Sequence, residues 1–186
     1  MTSQLKVDRI SPATGTEIII DGFGGGKILQ VIQTIKSDTF SVSNDGVFVD
    51  VTGLSASITP SSNNSKILVS ATITGASSGR YSGFRLLRDS TFVLPAPQEG
   101  NRTSVTTNFE SNQTIADQTY VLRNTSFTLL DAPTTSSQIN YKIQACSDTR
   151  PTGEGFIIYI NRTVSDNNAE HSARSVSSIT LMEVSS

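Results

Sequence analysis

A two-residue hydrophobic period, returning about every ten residues along most of the chain, limits what this sequence can fold into. Ile67, Val69, Ala71 and Ile73 alternate with Ser70, Thr72 and Thr74, and Ile139, Tyr141, Ile143 and Ala145 alternate with Asn140, Lys142 and Gln144. Successive side chains of a strand point to opposite faces, so each run describes a strand with one dry and one wet side. Further strands are expected at residues 47–51, 55–59, 83–88, 103–109, 119–123, 127–130, 156–160 and 175–184. Turn chemistry separates them: Asn44-Asp45-Gly46, the Ser/Asn run after Pro60, the segment closing at Gly79, Pro95-Ala96-Pro97 and Asp131-Ala132-Pro133. Only residues 112–119 and 167–173 could hold a helical turn. The spacing predicts an all-β fold, an antiparallel sandwich or barrel.

Composition matters here for one reason. Of 186 residues 51 are Ser or Thr, and such an excess marks either a disordered stalk or a β-protein with wet outer faces. The patterning of the apolar residues favours the second, because hydroxyl and β-branched side chains suit the solvent side of a pleated surface.

Residues 1–26 read differently from residues 27–186. The opening alternates around Leu5 and Val7 to Ile10, turns at Ser11-Pro12-Ala13-Thr14-Gly15, runs through Ile18, Ile19 and Ile20, and ends in the glycines of Gly22 to Gly26. Two short strands of this kind cannot bury themselves, so the segment needs copies of itself or another protein. After the flexible glycine joint, residues 27–36 are apolar on both faces (Ile28, Leu29, Val31, Ile32, Ile35), as expected of a strand covered on two sides. The last strand has the same property. Ile179 and Leu181 fall on one face and Met182 and Val184 on the other, which predicts burial once in the strand's own sandwich and once against another subunit.

The chemistry that the chain could carry is narrow. A net charge of −2 argues against a generally basic nucleic-acid surface and against electrostatic membrane attachment. No apolar run is long enough to span a membrane or to serve as a secretory signal, so synthesis in a cytoplasm without membrane insertion is expected. The single Cys146 and single His171 leave no disulfide framework and no cluster for metal ligation, so neither metal nor cofactor is expected. By strand parity Cys146 falls on the polar face of its strand, and His171 reads as a solvated loop residue. Gly22 to Lys27 superficially resembles a phosphate loop, but Lys27 leads into a strand where a P-loop requires a helix. The carboxylates are scattered, with no spacing that favours a glycosidase pair and no Asp-x-Asp-x-Asp run for calcium. Five Asn-x-Ser/Thr triplets, at Asn63, Asn101, Asn112, Asn124 and Asn161, follow from the composition. Arg80, Tyr81, Arg85 and Arg88 form the densest basic-aromatic patch. The simpler reading of it is ordinary strand residues with an exposed arginine.

Several stretches resemble a known group. Leu5-Lys6-Val7-Asp8-Arg9-Ile10-Ser11-Pro12 through Gly15-Thr16, Phe48-Val49-Asp50-Val51-Thr52-Gly53-Leu54, Ser65-Lys66-Ile67-Leu68-Val69, Leu86-Leu87-Arg88-Asp89 and Ser178-Ile179-Thr180-Leu181-Met182-Glu183 are similar to short virion structural proteins of tailed phages, notably those of marine bacteria and cyanobacteria. The resemblance is one of pattern over most of the chain. It implies a β stem and a trimeric jelly-roll head like that of complement-component and tumour-necrosis-factor domains. It also implies a virion-surface location, with Leu5, Val7, Ile10, Ile18, Ile19 and Ile20 attaching the protein to other virion proteins of the tail or capsid or building the stem. Ile179, Leu181, Met182 and Val184 would then line the subunit interface near a threefold axis, although the residues alone also allow isologous twofold pairing. The expected function is non-enzymatic: a short tail fibre or spike whose head binds a host surface glycan or protein. The alternatives are a capsid decoration protein clamping the phage head and, from another class, a carbohydrate-degrading depolymerase.

Overall fold

A computed structural model of the protein describes residues 27–79, 82–109, 118–149, 153 and 155–185. The stem residues Leu5, Val7, Ile10, Ile18, Ile19 and Ile20 lie outside the described residues.

The strands run in the order β1 (Ile28–Lys36), β2 (Phe40–Val42), β3 (Val49–Ile58), β4 (Lys66–Ser77), β5 (Gly83–Arg88), β6 (Thr91–Phe92), β7 (Arg123–Asp131), β8 (Ile139–Cys146), β9 (Ile158–Ile160) and β10 (Ser177–Val184), with one 3-10 turn at Gln118–Tyr120. They form two antiparallel sheets. In the first, β4 is flanked on one edge by β7 and on the other by β10 and then β9, beyond which lie β1 and β2. The second has the order β3-β8-β5-β6. The chain passes repeatedly from one sheet to the other, so sequence neighbours such as β3 and β4 face each other across the core. This is a sandwich, one of the two architectures the spacing predicted, and its form is the jelly roll that the resemblance implied.

The period-2 reading transfers directly to burial. Ile67, Val69, Ala71 and Ile73 of β4 meet Ile139, Tyr141, Ile143 and Ala145 of β8 in a single core closed by Leu54, Ile58, Phe84, Leu86, Ile158, Ile160, Ile179 and Leu181. Residues 47–51 and 55–59, expected as two strands, belong to one. Its ladder to β8 skips from Asp50 to Ser55, and Gly53 at φ +81° turns the backbone so that both Val51 and Leu54 face inward.

Two expected strands are absent. Residues 103–109 run irregularly beside β5 and bridge it at Phe84, whose N–H donates to Thr107 O (2.8 Å) and whose carbonyl accepts from Thr106 N–H (2.7 Å). That edge of β5 is already shared with β6, and Phe109 leaves it to pack edge-on against Phe84 at 4.8 Å. Residues 119–123 begin in the 3-10 turn, and the ladder starts only at Arg123. Of the two places allowed a helical turn, residues 112–117 lie outside the described residues and 167–173 form turns.

Polar nodes fasten the sandwich at both ends. At the far end from Lys27, buried Asn161 (φ 62°) donates its amide to Lys36 O and Asp38 O at 2.8 and 2.9 Å and accepts from Ser177 Oγ at 2.6 Å. This Asn-x-Thr triplet is therefore an internal brace. At the near end Arg88 donates to both oxygens of Asp131 (3.0 and 2.8 Å) and Tyr141 OH donates to Asp131 Oδ2 at 2.6 Å, joining β5 and β8 of one sheet to β7 of the other. Burial, then the hydrogen bond and charge of Asp131, push the Tyr141 hydroxyl above its ordinary range. Replacing Arg88 with leucine leaves a largely buried carboxylate with one neutral donor. We expect a loss of about 2–4 kcal/mol in denaturant unfolding, and an unchanged midpoint would show that the pair contributes nothing.

Candidate functional site

Among the described residues, no three metal-ligating or carboxylate side chains form a cluster. The molecule's two outer sheet faces differ sharply in chemistry, and each is built by register.

On the first sheet, β1 pairs Val31 with Met182, β10 pairs Met182 with Leu68, and β4 pairs Leu68 with Leu130. These four side chains stand in one row on the outer face of four adjacent strands. Ile28, Leu29 and Val184 extend the row toward the end where the chain enters, since Ile28 pairs with Val184 and Lys27 exchanges hydrogen bonds with Ser185 (2.9 Å each way). Ile28, Leu29, Val31 and Leu130 are between 46% and 58% exposed, and Leu68, Met182 and Val184 are half-buried. The next row across the same strands is polar: Gln33, Thr180, Ser70 and Thr128. The apolar band is therefore confined to the near half of the face. Contiguous apolar surface of this kind makes the band a candidate interaction site.

The last strand divides the expected interface residues. Ile179 and Leu181 are fully buried in the subunit's own core, whereas Met182 and Val184 stand on the outer band. Among the described residues β1 is an edge strand laddered to β10, and its outer residues Ile28, Leu29, Val31 and Ile35 are open. Two-sided cover was expected there, and a single chain covers one side only. Val31 belongs to the strand that the sequence marks as apolar on both faces, whereas Leu68 and Leu130 are not singled out there. Leu68 and Leu130 are apolar interruptions of otherwise wet strand faces, which is the signal that could have found them.

Glu183 belongs to the core face of β10, continuing the parity of Ile179 and Leu181, and is fully buried at the near end. Its carboxylate accepts from Ser61 N–H (2.7 Å), Ser61 Oγ (2.6 Å) and Gln30 Nε2 (2.6 Å), tying the loop after β3 to β1 and β10 beneath the apolar band. Burial raises its pKa, but the hydrogen bonds outweigh that and hold it down, at about 2. A depressed folded pKa stabilises the protein above the ordinary value of 4.5, and that contribution is lost as pH falls from there toward 2. Roughly 3 kcal/mol of acid-sensitive stability should disappear from the melting profile of Glu183→Gln, which also sets an amide N–H against the Ser61 donors. A variant with the wild-type acid profile would contradict this.

On the second sheet the outer face is polar and aromatic. Asp50, Gln144 and Arg85 occupy one row across β3, β8 and β5. Asp50 accepts from Lys142 Nζ (2.7 Å) and Gln144 Nε2 (2.8 Å), and these bonds, with the Lys142 charge, hold its carboxyl below the usual range against burial. Arg85 lies over the Phe48 ring at 3.7 Å and 5.0 Å from the Phe92 centroid, with Nε donating to Ser104 O at 3.0 Å. Burial lowers its pKa below the ordinary value. The sequence patch thus resolves into different roles: Arg88 is an internal brace, Arg85 is stacked and half-buried, and Arg80 and Tyr81 lie outside the described residues.

The remaining candidates are accounted for locally. Cys146 is buried, contrary to its parity on a polar face, because the 44–47 loop folds over the end of β8: Sγ meets Asp148 O at 2.8 Å and Asn44 O at 3.3 Å. Burial pushes its thiol pKa up. His171 is exposed, edge-on to Tyr120 at 4.2 Å. Asp166 and Glu170 line an open depression of about 460 Å³, where Asp166 is engaged by Arg174 (2.7 Å) and Arg162 (3.4 Å). Among the described residues, no three His, Cys, Asp or Glu side chains converge, and no helix is long and apolar enough to cross a membrane.

No protein-family model matches the chain, and no curated protein does. Solved structures similar to it include that of infectious bursal disease virus, Gt strain, at 15% identity and TM-score 0.40, covering 94% of this chain and 44% of that one. The VP2 subviral particle of infectious bursal disease virus is similar at 12% identity and TM-score 0.40, covering 94% and 43%. This chain spans less than half the length of either.

Proposed function

We propose that the protein is a non-enzymatic component of a phage virion surface, a short tail fibre or spike whose jelly-roll head self-associates as a trimer and contacts the host cell. The observation that carries the reading is the apolar band of Val31, Met182, Leu68 and Leu130, which lies at the end of the sandwich where residues 1–26 join it. Attachment and self-association would then share one end of the head, leaving the opposite end and the second sheet free to face outward. The sequence resemblance to virion proteins supplies the context. Weak contacts repeated on one particle would gain from multivalent display.

A capsid decoration protein with the same head is the second reading, since the same band could lie against a shell. Labelling the protein on imaged particles separates the two. Density confined to the tail supports the fibre, and density spread over the capsid lattice supports decoration and ends the fibre reading. Sugar release from host polysaccharide by the purified protein, lost on changing Asp166 or Glu170, would overturn the non-enzymatic assignment.

A further inference from the structure

Among the described residues on the second sheet's outer face, Arg85 is a cation whose role within the fold is incomplete. Its guanidinium is held by Phe48 and Phe92, and its Nε is committed to Ser104 O, so the side chain has little freedom left. Nη1 and Nη2 nevertheless find no acceptor among the described residues. The terminal nitrogens are open to solvent on a guanidinium that stacking already holds in place, so the fork is presented with little ordering left to lose, and a planar oxyanion matches it. Asp50 in the same row does not fill the role, because its oxygens are occupied by Lys142 and Gln144.

The surroundings define what else the ligand carries. Gln144, which shares the row with Arg85, donates an amide N–H to Asp50 and keeps its carbonyl oxygen as an acceptor, and Lys142 Nζ keeps further donors. Such a mixture pairs naturally with hydroxyl groups. Leu94, two residues beyond Phe92, is exposed and held at φ +45°, a conformation that an L side chain rarely adopts and that is often retained for function.

We propose that the outer face of β3, β8 and β5 is a saccharide-binding site in which Arg85 receives the oxyanion, carboxylate or sulfate, of an acidic sugar. This deepens the host-contact reading and rests on it. The face lies across the sandwich from the apolar band, so both can be occupied together.

The test uses the full-length protein against three probes: oligogalacturonate, a sulfated galactan oligomer and the corresponding neutral galactan, compared by calorimetry at low and physiological salt. One or both acidic probes should bind and the neutral one should not, and which acidic probe binds identifies the oxyanion. Arg85→Met, which keeps the stem between the rings, should weaken binding by roughly 10–100-fold, and Arg85→Lys, which keeps charge without the fork, by about 10-fold. If Arg85→Met melts early, Arg85→Lys and Gln144→Ala carry the test. Equal binding of acidic and neutral probes, no binding of either acidic probe, or undiminished binding by the variants overturns the site. Phage adsorption separates this from the broader reading. Particles lacking the protein that adsorb normally refute host contact itself, whereas particles carrying Arg85→Met that adsorb normally refute only the site.

Discussion

Gly75→Ala is expected to be the most damaging single-atom change in the head. A Cβ at this position would stand 2.0 Å from Tyr159 O, with Tyr159 C and Ile160 Cα also within about 3.1 Å. All three contacts are backbone, so no side chain can rotate away. Gly75 sits where β4 pairs with Arg123 of β7 on one edge and Ile160 of β9 on the other, and relief of the clash must open one of these ladders. We expect a loss of at least about 3 kcal/mol, or a melting temperature lowered by roughly 6–12 °C, and failure to fold is compatible with the same cause. Gly100→Ala is the control: its φ of +58° makes alanine strained, but nothing lies within 4 Å, so the cost should stay near about 1 kcal/mol. Equal melting of the two variants would show that the β4–β9 contact yields easily.

The second large effect concerns assembly. Leu68→Asp combined with Met182→Asp places two like charges side by side at the centre of the apolar band while leaving the core untouched. Each apolar side chain buried between subunits contributes roughly 1.5–3 kcal/mol, and a buried carboxylate reverses that sign. The wild-type protein should sediment at three times its 19.9 kDa chain mass, and the double variant at the chain mass with its β-sheet signal intact. A wild-type monomer at micromolar concentration, or a variant that still forms the trimer, would remove the role given to this face. Deletion of residues 178–186 is a poorer test than the sequence makes it appear. β10 lies between β1 and β4, so its removal opens the first sheet and destroys the head along with any interface. Leu181→Asp would fail for the same reason, since Leu181 belongs to the core.

Much of the architecture was legible because its signal is local. The alternations at Ile67–Ile73 and Ile139–Ala145 identify the two dry faces that became the core. Where the reading failed, a distant segment decided the outcome. Cys146 sits on the nominally polar side of its strand, yet the 44–47 loop, a hundred residues earlier in the chain, covers it. Residues 103–109 have strand-like composition, but β6 already holds part of the β5 edge they would have needed.

The sequence by itself determined the fold class, the two-faced strands and the fact that Met182 and Val184 oppose Ile179 and Leu181, because side-chain period is a property of the local backbone. The tertiary structure decided which residues share a row. Val31, Leu68, Leu130 and Met182 come from four strands spread over most of the chain, and only the ladders β1·β10, β10·β4 and β4·β7 bring them side by side. Register also placed Asp50, Gln144 and Arg85 together and set Glu183 among Ser61 and Gln30. A one-residue slip would send every one of these side chains to the opposite face, so the surfaces proposed for assembly and for saccharide binding exist only through long-range pairing.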